Sequence, residues 1–121
     1  MAWIFDQNKP IFIQIAARIR NDIIRGVYKP DEQLPSVRQL AAEASVNPNT
    51  VQRAILLLQD EKLLYPRTTV GLFVTSDTQI IENAKENIKR GIAKNLIKDA
   101  LSLGITADEL IVYIKEEITN E

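Results

Sequence analysis

At 121 residues and 45% hydrophobic content, the chain has room for one modest domain, or a small domain with an appendage, and for no separate ligand-binding domain of usual size. It has no Cys and no His, which excludes disulfides and thiolate metal sites and removes the commonest general base and metal ligand. No Gly-rich phosphate loop, nucleophile elbow or basic leader before an apolar run is present, and no stretch approaches the roughly 20 apolar residues of a bilayer span. The expectation is a cytoplasmic protein that is not an enzyme, with no metal, no cofactor and no membrane contact. The net charge is −1, unevenly spread: residues 1–75 hold nine basic and seven acidic side chains, whereas 76–121 hold six and nine. That asymmetry suggests a binding half followed by a solvated half.

From Pro10 to Arg25, Phe12, Ile15, Ala16, Ile19 and Ile23 recur at helical spacing, with Gly26 just past the end; this predicts the first helix. Tyr28 to Pro35 reads as a turn and a short extended piece, because proline turns its predecessor away from helix. Ser36 then opens a second helix, with Gln39 three residues on to complete a capping box, and Val37, Leu40 and Ala41 face inward. After Ala44-Ser45-Val46 the chain starts again at Asn47, an N-cap followed by Pro48 at the first helical position. Val51, Ala54, Ile55 and Leu58 form the inner stripe of this third helix. Two capped helices in such close succession spell a helix-turn-helix, a device for placing its second helix in the DNA major groove.

Leu63–Arg67 and Leu72–Thr75 are short β-prone runs around Thr68-Thr69-Val70-Gly71, a hairpin that would form a wing. From Thr78, after Asp77, the residues Ile81, Ala84, Ile88, Ile92, Leu96, Ala100 and Leu103 step by three and four. Gly104 suits a left-handed C-cap, with Ile105 folding back onto the last turn. Thr106 and Glu109 make a second capping box, opening a final helix with Leu110, Ile111, Ile114 and Ile118 on one face.

From Phe5 to Val74 the chain resembles the GntR family of bacterial transcription regulators. The resemblance rests on Pro10-Ile11-Phe12 with Gln14-Ile15; Leu34 to Arg38 with Leu40-Ala41; Val46 to Val51; and Leu63-Leu64-Tyr65 through Gly71 with Phe73-Val74. Residues 76–121 are similar in length and helical pattern to the short two-helix tail of the YtrA subfamily. The resemblance implies a winged helix-turn-helix repressor that dimerises through its C-terminal helices on a two-fold symmetric operator. Three positions depart from the family pattern: Asp31 and Lys62 stand where Gly is usual, and Thr68-Thr69 where Arg-Gly usually builds the wing tip.

Ser36 and Asn47 are fully explained as caps, yet a helix N-terminus also suits a phosphate. Arg38, on the polar side of the second helix, is a solvated arginine or a DNA contact. On the third helix, Asn49 and Gln52 carry amides that can pair with adenine, Arg53 a guanidinium for guanine or phosphate, and Thr50 a hydroxyl and methyl for backbone or thymine. Arg67, Thr68 and Thr69 are hairpin surface or wing contacts, and Gly71 is a backbone requirement more than a contact. The stripe of Ile81, Ala84, Ile88, Ile92, Leu96 and Ala100, with Leu110 and Ile114 on the final helix, exceeds what one short helix can cover, so a second chain is the economical partner.

The expected fold is mainly α with a small β-hairpin: a winged helix-turn-helix domain at 1–75 and a helical dimerisation tail at 76–121. The expected partners are double-stranded operator DNA and a second copy of the chain. Two rival readings stand beside this one. The first is a winged-helix protein-interaction module, which would favour large apolar anchors in place of Asn49-Thr50-Gln52-Arg53. The second is an effector-sensing regulator with a pocket between the tail helices or at the dimer interface, lined by Ile and Leu with Tyr113 as its polar group.

Overall fold

The computed structural model describes residues 3–67 and 69–120. Helix α1 (Ile11–Ile24) buries Ile15, Ala16, Ile19 and Ile23 along one face. Its start is secured by Gln14, whose amide donates to the carbonyls of Asp6 (2.7 Å) and Lys9 (3.1 Å) while its oxygen accepts from the Asp6 N–H.

Helix α2 (Val37–Ala44) has the expected reciprocal cap: Ser36 Oγ accepts from the Gln39 N–H (3.1 Å) and Gln39 Oε1 from the Ser36 N–H (2.8 Å). Helix α3 (Pro48–Asp60) starts at Asn47, whose side chain accepts from the Asn49 N–H (2.8 Å), with Pro48 at the first position. Both α1 and α2 pack on α3. Ile15, Ile19, Leu40, Val51, Ile55 and Leu58 are completely buried among them.

Strands β1 (Leu64–Arg67) and β2 (Gly71–Val74) pair antiparallel, Tyr65 opposite Phe73 and Arg67 opposite Gly71. The loop before α2 adds a third rung on the far side of β2. Leu34 N–H donates to Leu72 O (2.9 Å), Val74 N–H to Glu32 O (2.9 Å) and Asp31 N–H to Val74 O (3.0 Å). The wing is thereby joined by backbone bonds to the segment that leads into α2.

Helix α4 (Thr78–Ser102) runs on from the wing, and α5 (Ala107–Thr119) follows behind the Thr106–Glu109 capping box. The chain forms two compact units, Met1–Ala84 and Lys85–Glu121. The boundary lies beyond the expected 75/76 because the first turns of α4 pack on the winged unit. Ile81 is 8% exposed in its core, and Ile80 and Ala84 lie against it. Ile81 and Ala84, expected in a dimer contact, therefore cover the winged unit's own core.

In the second unit α5 does not lie broadly along α4. Ala100 is buried, Ile88 and Leu110 are half-buried, and Ile92 and Ile118 are 64% and 69% exposed. Tyr113 is exposed, and the hollow at the end of α5 is lined by Lys115, Glu116, Thr119 and Asn120. No helix among the described residues is long and apolar enough to cross a membrane.

Candidate nucleic-acid interface

The inward residues of α3, Val51, Ala54, Ile55 and Leu58, leave a polar stripe on the opposite side at the same three- and four-residue steps. Asn49, Gln52 and Arg53 stand exposed on it, followed by Leu56. Thr50 is half-buried and lies at the flank of the stripe. Arg53 is less free than its sequence position suggests, because its guanidinium stacks on the Phe12 ring of α1 at 4.0 Å. A cation–π contact at an exposed site holds by only about 0.5–1 kcal/mol, so a phosphate or base can draw the group away.

Ser36 and Arg38 are exposed at the start of α2. Among the described residues, Arg38 makes no ion pair or side-chain hydrogen bond within the chain. A hollow between this helix start and the wing is lined by Tyr28, Gln33, Ser36, Gln39, Val70 and Gly71. Burial raises the Tyr28 phenol above its ordinary range, and the Asp22, Glu43 and Glu32 carboxylates add to the effect against a smaller opposing influence of Arg18. Tyr28 is therefore neutral at physiological pH.

On the wing, Thr69 is exposed and Gly71 half-buried, while Thr68 lies outside the described residues. Gly71 has φ +133, and a Cβ there would meet Gln33 Nε2 at 2.8 Å. Gln33 uses that amide to hold the Val70 carbonyl at 2.7 Å. The backbone role expected of Gly71 thus has a definite cause: it admits the side chain that fastens the wing tip. Arg67 is fastened as well. Its guanidinium lies 4.2 Å from the Phe73 ring centroid, and Nη2 donates to the Tyr65 hydroxyl (2.9 Å) and reaches the Asp31 carboxylate (3.4 Å).

Asp31, Gln33, Tyr65 and Phe73 were not among the expected site residues. The alternation of the strand was a usable signal, since Tyr65 and Arg67 stand two apart and share a face. The arrival of Asp31 and Gln33 beside them is a long-range pairing with no local signature.

A helix start with free N–H groups, an outward amide-and-arginine stripe and a fastened hairpin make up the parts of a DNA-reading surface. The family model for the bacterial regulatory proteins of the gntR family matches residues 13–74. The chain belongs to the GntR family. This GntR protein is 32% identical over 111 residues to the HTH-type transcriptional regulator YhcF of Bacillus subtilis, covering 92% of each chain. It is 34% identical over 109 residues to the HTH-type transcriptional repressor YtrA of the same organism, covering 88% of this chain and 83% of YtrA. Among solved structures, a GntR family transcriptional regulator from Listeria monocytogenes matches with a TM-score of 0.88 and 35% identity over 93% of this chain and 98% of its own. The DNA-binding domain of AraR in complex with operator ORX1 matches with a TM-score of 0.54 and 26% identity, covering 62% of this chain and 92% of that one. The GntR family comprises DNA-binding transcription regulators, not enzymes, and this protein is one of them.

Proposed function

We propose that this GntR regulator is a cytoplasmic repressor that binds a two-fold symmetric operator as a homodimer. Residues 1–75 carry the DNA contacts and residues 76–121 supply the subunit contact. In this reading Asn49, Gln52 and Arg53 face base edges, with Thr50 at their flank. Ser36, Arg38, Asn47, Arg67, Thr68 and Thr69 serve the phosphate backbone, and Gly71 shapes the wing.

The observation that carries the reading is the outward stripe of α3. It presents two amides and a guanidinium on a helix whose start is capped and exposed, where a protein-docking surface would present aromatic or apolar anchors. The similar YtrA is named a repressor, and the similar AraR domain is seen on its operator. The exposed apolar residues of α4 and α5 support the dimer, because surface of that kind on a regulator calls for a partner.

Selection of bound fragments from random duplex DNA tests this proposal. It should recover an inverted repeat whose half-sites are spaced by about 10–10.5 base pairs, one turn of the duplex, or a multiple of it. Recovery of no common sequence, or of a single asymmetric element, would contradict it.

A further inference from the structure

We propose that Asp31 is a positioning residue that restrains DNA binding by the wing: its carboxylate holds Arg67 and offsets its charge, so that the wing meets DNA with less cationic character than its sequence carries. The inference rests on the reading of Arg67 as a backbone contact.

Asp31 occupies the third position of the Lys29–Glu32 turn, closed by Glu32 N–H to Lys29 O at 3.0 Å, with Pro30 before it and φ at +67. A positive φ at that position is what a type II turn requires. The Asp31 N–H is fixed to Val74 O at 3.0 Å, which sets the side chain over the face of the hairpin carrying Tyr65, Phe73 and Arg67. There the Tyr65 hydroxyl donates to Asp31 Oδ1, and Arg67 Nη2 lies 3.4 Å from the same oxygen.

The pair is half open to solvent, with side-chain exposures of 49% for Arg67 and 55% for Asp31. Exposed pairs of this kind are weak and are screened by salt, so a phosphate oxygen can compete for the guanidinium. The other donors of Arg67, Nε and Nη1, make no hydrogen bond among the described residues. Arg67 is thus oriented by Phe73 and Tyr65 and remains available, while Asp31 opposes its transfer to a phosphate.

Asp31→Asn removes the charge and little else, because Asn tolerates a positive φ and its oxygen still accepts from Tyr65. The test measures binding of a mixed-sequence duplex as a function of salt for the parent, Asp31→Asn, Arg67→Ala and the double variant, with thermal unfolding as a control on the fold. One full phosphate contact is worth about 0.9 in salt slope, roughly five- to tenfold in binding at about 0.1 M salt, which is the upper limit of the gain because Arg67 already reaches phosphate in part in the parent. Asp31→Asn should show a gain within that limit with Arg67 present and lose most of it in the double variant. A gain of equal size with and without Arg67 would overturn the proposal, as would unchanged or weaker binding by Asp31→Asn. If Arg67→Ala changes nothing in either background, the assignment of Arg67 to DNA is what fails, and the restraint falls with it. If Arg67→Ala weakens binding while Asp31→Asn leaves it unchanged, only the restraint fails.

Discussion

Gln52 and Arg53 are neighbours on the outward side of α3, but their side chains stand in different states. Arg53 rests on the Phe12 ring, whereas Gln52 is exposed with no side-chain hydrogen bond among the described residues. Its amide can offer a donor and an acceptor together, the pattern that matches adenine in the major groove. Gln52→Ala should therefore cost about 1–3 kcal/mol on the selected site while leaving binding to unrelated duplex nearly intact. Competition titrations on the two DNAs check this; equal losses on both would place Gln52 on the backbone. The side chains of α3 were readable from the sequence because helical spacing alone sorts them into inner and outer sets. The stacking of Arg53 on Phe12 was not, since it joins positions on two separate helices.

The helix ends show most clearly where local chemistry was sufficient. Ser36 with Gln39 and Thr106 with Glu109 form both caps from residues three apart, and the starts of α2 and α5 follow from them. The C-terminal ends were harder to read. Helix α4 ends at Gly104 (φ +76) with Ile105 N–H returning to Ala100 O at 2.9 Å. The same paired return closes α2 at Ser45 (φ 59), through Val46 N–H to Ala41 O at 3.0 Å, and α3 at Lys62 (φ 67), through Leu63 N–H to Leu58 O at 3.1 Å. Gly announces such an end, while Ser and Lys do not. The last two are held in a left-handed conformation by the apolar residue next in the chain, Leu63 being completely buried and Val46 packed against the core. Lys62→Gly should relieve the steric cost and stabilise the winged unit by about 0.5–1 kcal/mol. A urea midpoint that rises with unchanged slope would bear this out, and one that stays or falls would show that the lysine side chain contributes more than its backbone costs. The wing departed further from what sequence reading offers. Its third rung, the Gln33 hold on Val70 and the Asp31 contact all join residues more than 30 positions apart.

In the molecule as a whole, the winged unit gathers most of its large apolar residues into one core, whereas most of those in the second unit stand exposed. Ile81 and Ala84 serve the first core, which moves the expected subunit contact toward Ile88, Ile92, Leu96, Leu110 and Ile114. The helices of this unit were evident from their periodicity, but how little α5 packs along α4 was not, because Gly104 marks a stop without setting the direction of the next helix. Leu96 is 43% exposed in the single chain, so Leu96→Asp is tolerable there and costly only when a second chain would bury the carboxylate. The variant should fold normally and sediment as a monomer, and the parent should sediment as a dimer. A variant that remains dimeric would place the contact elsewhere.

Joining two readers makes the second binding event effectively intramolecular, a gain of about 10²–10⁴ in affinity with no new base contact. The decisive measurement is therefore stoichiometry and affinity together, by sedimentation of the parent on the selected inverted repeat and on a duplex carrying one half-site. Two chains per inverted repeat, with binding weakened by about 10²–10⁴ on the half-site, is the predicted result. One chain per duplex, or equal affinity for the two DNAs, would contradict it.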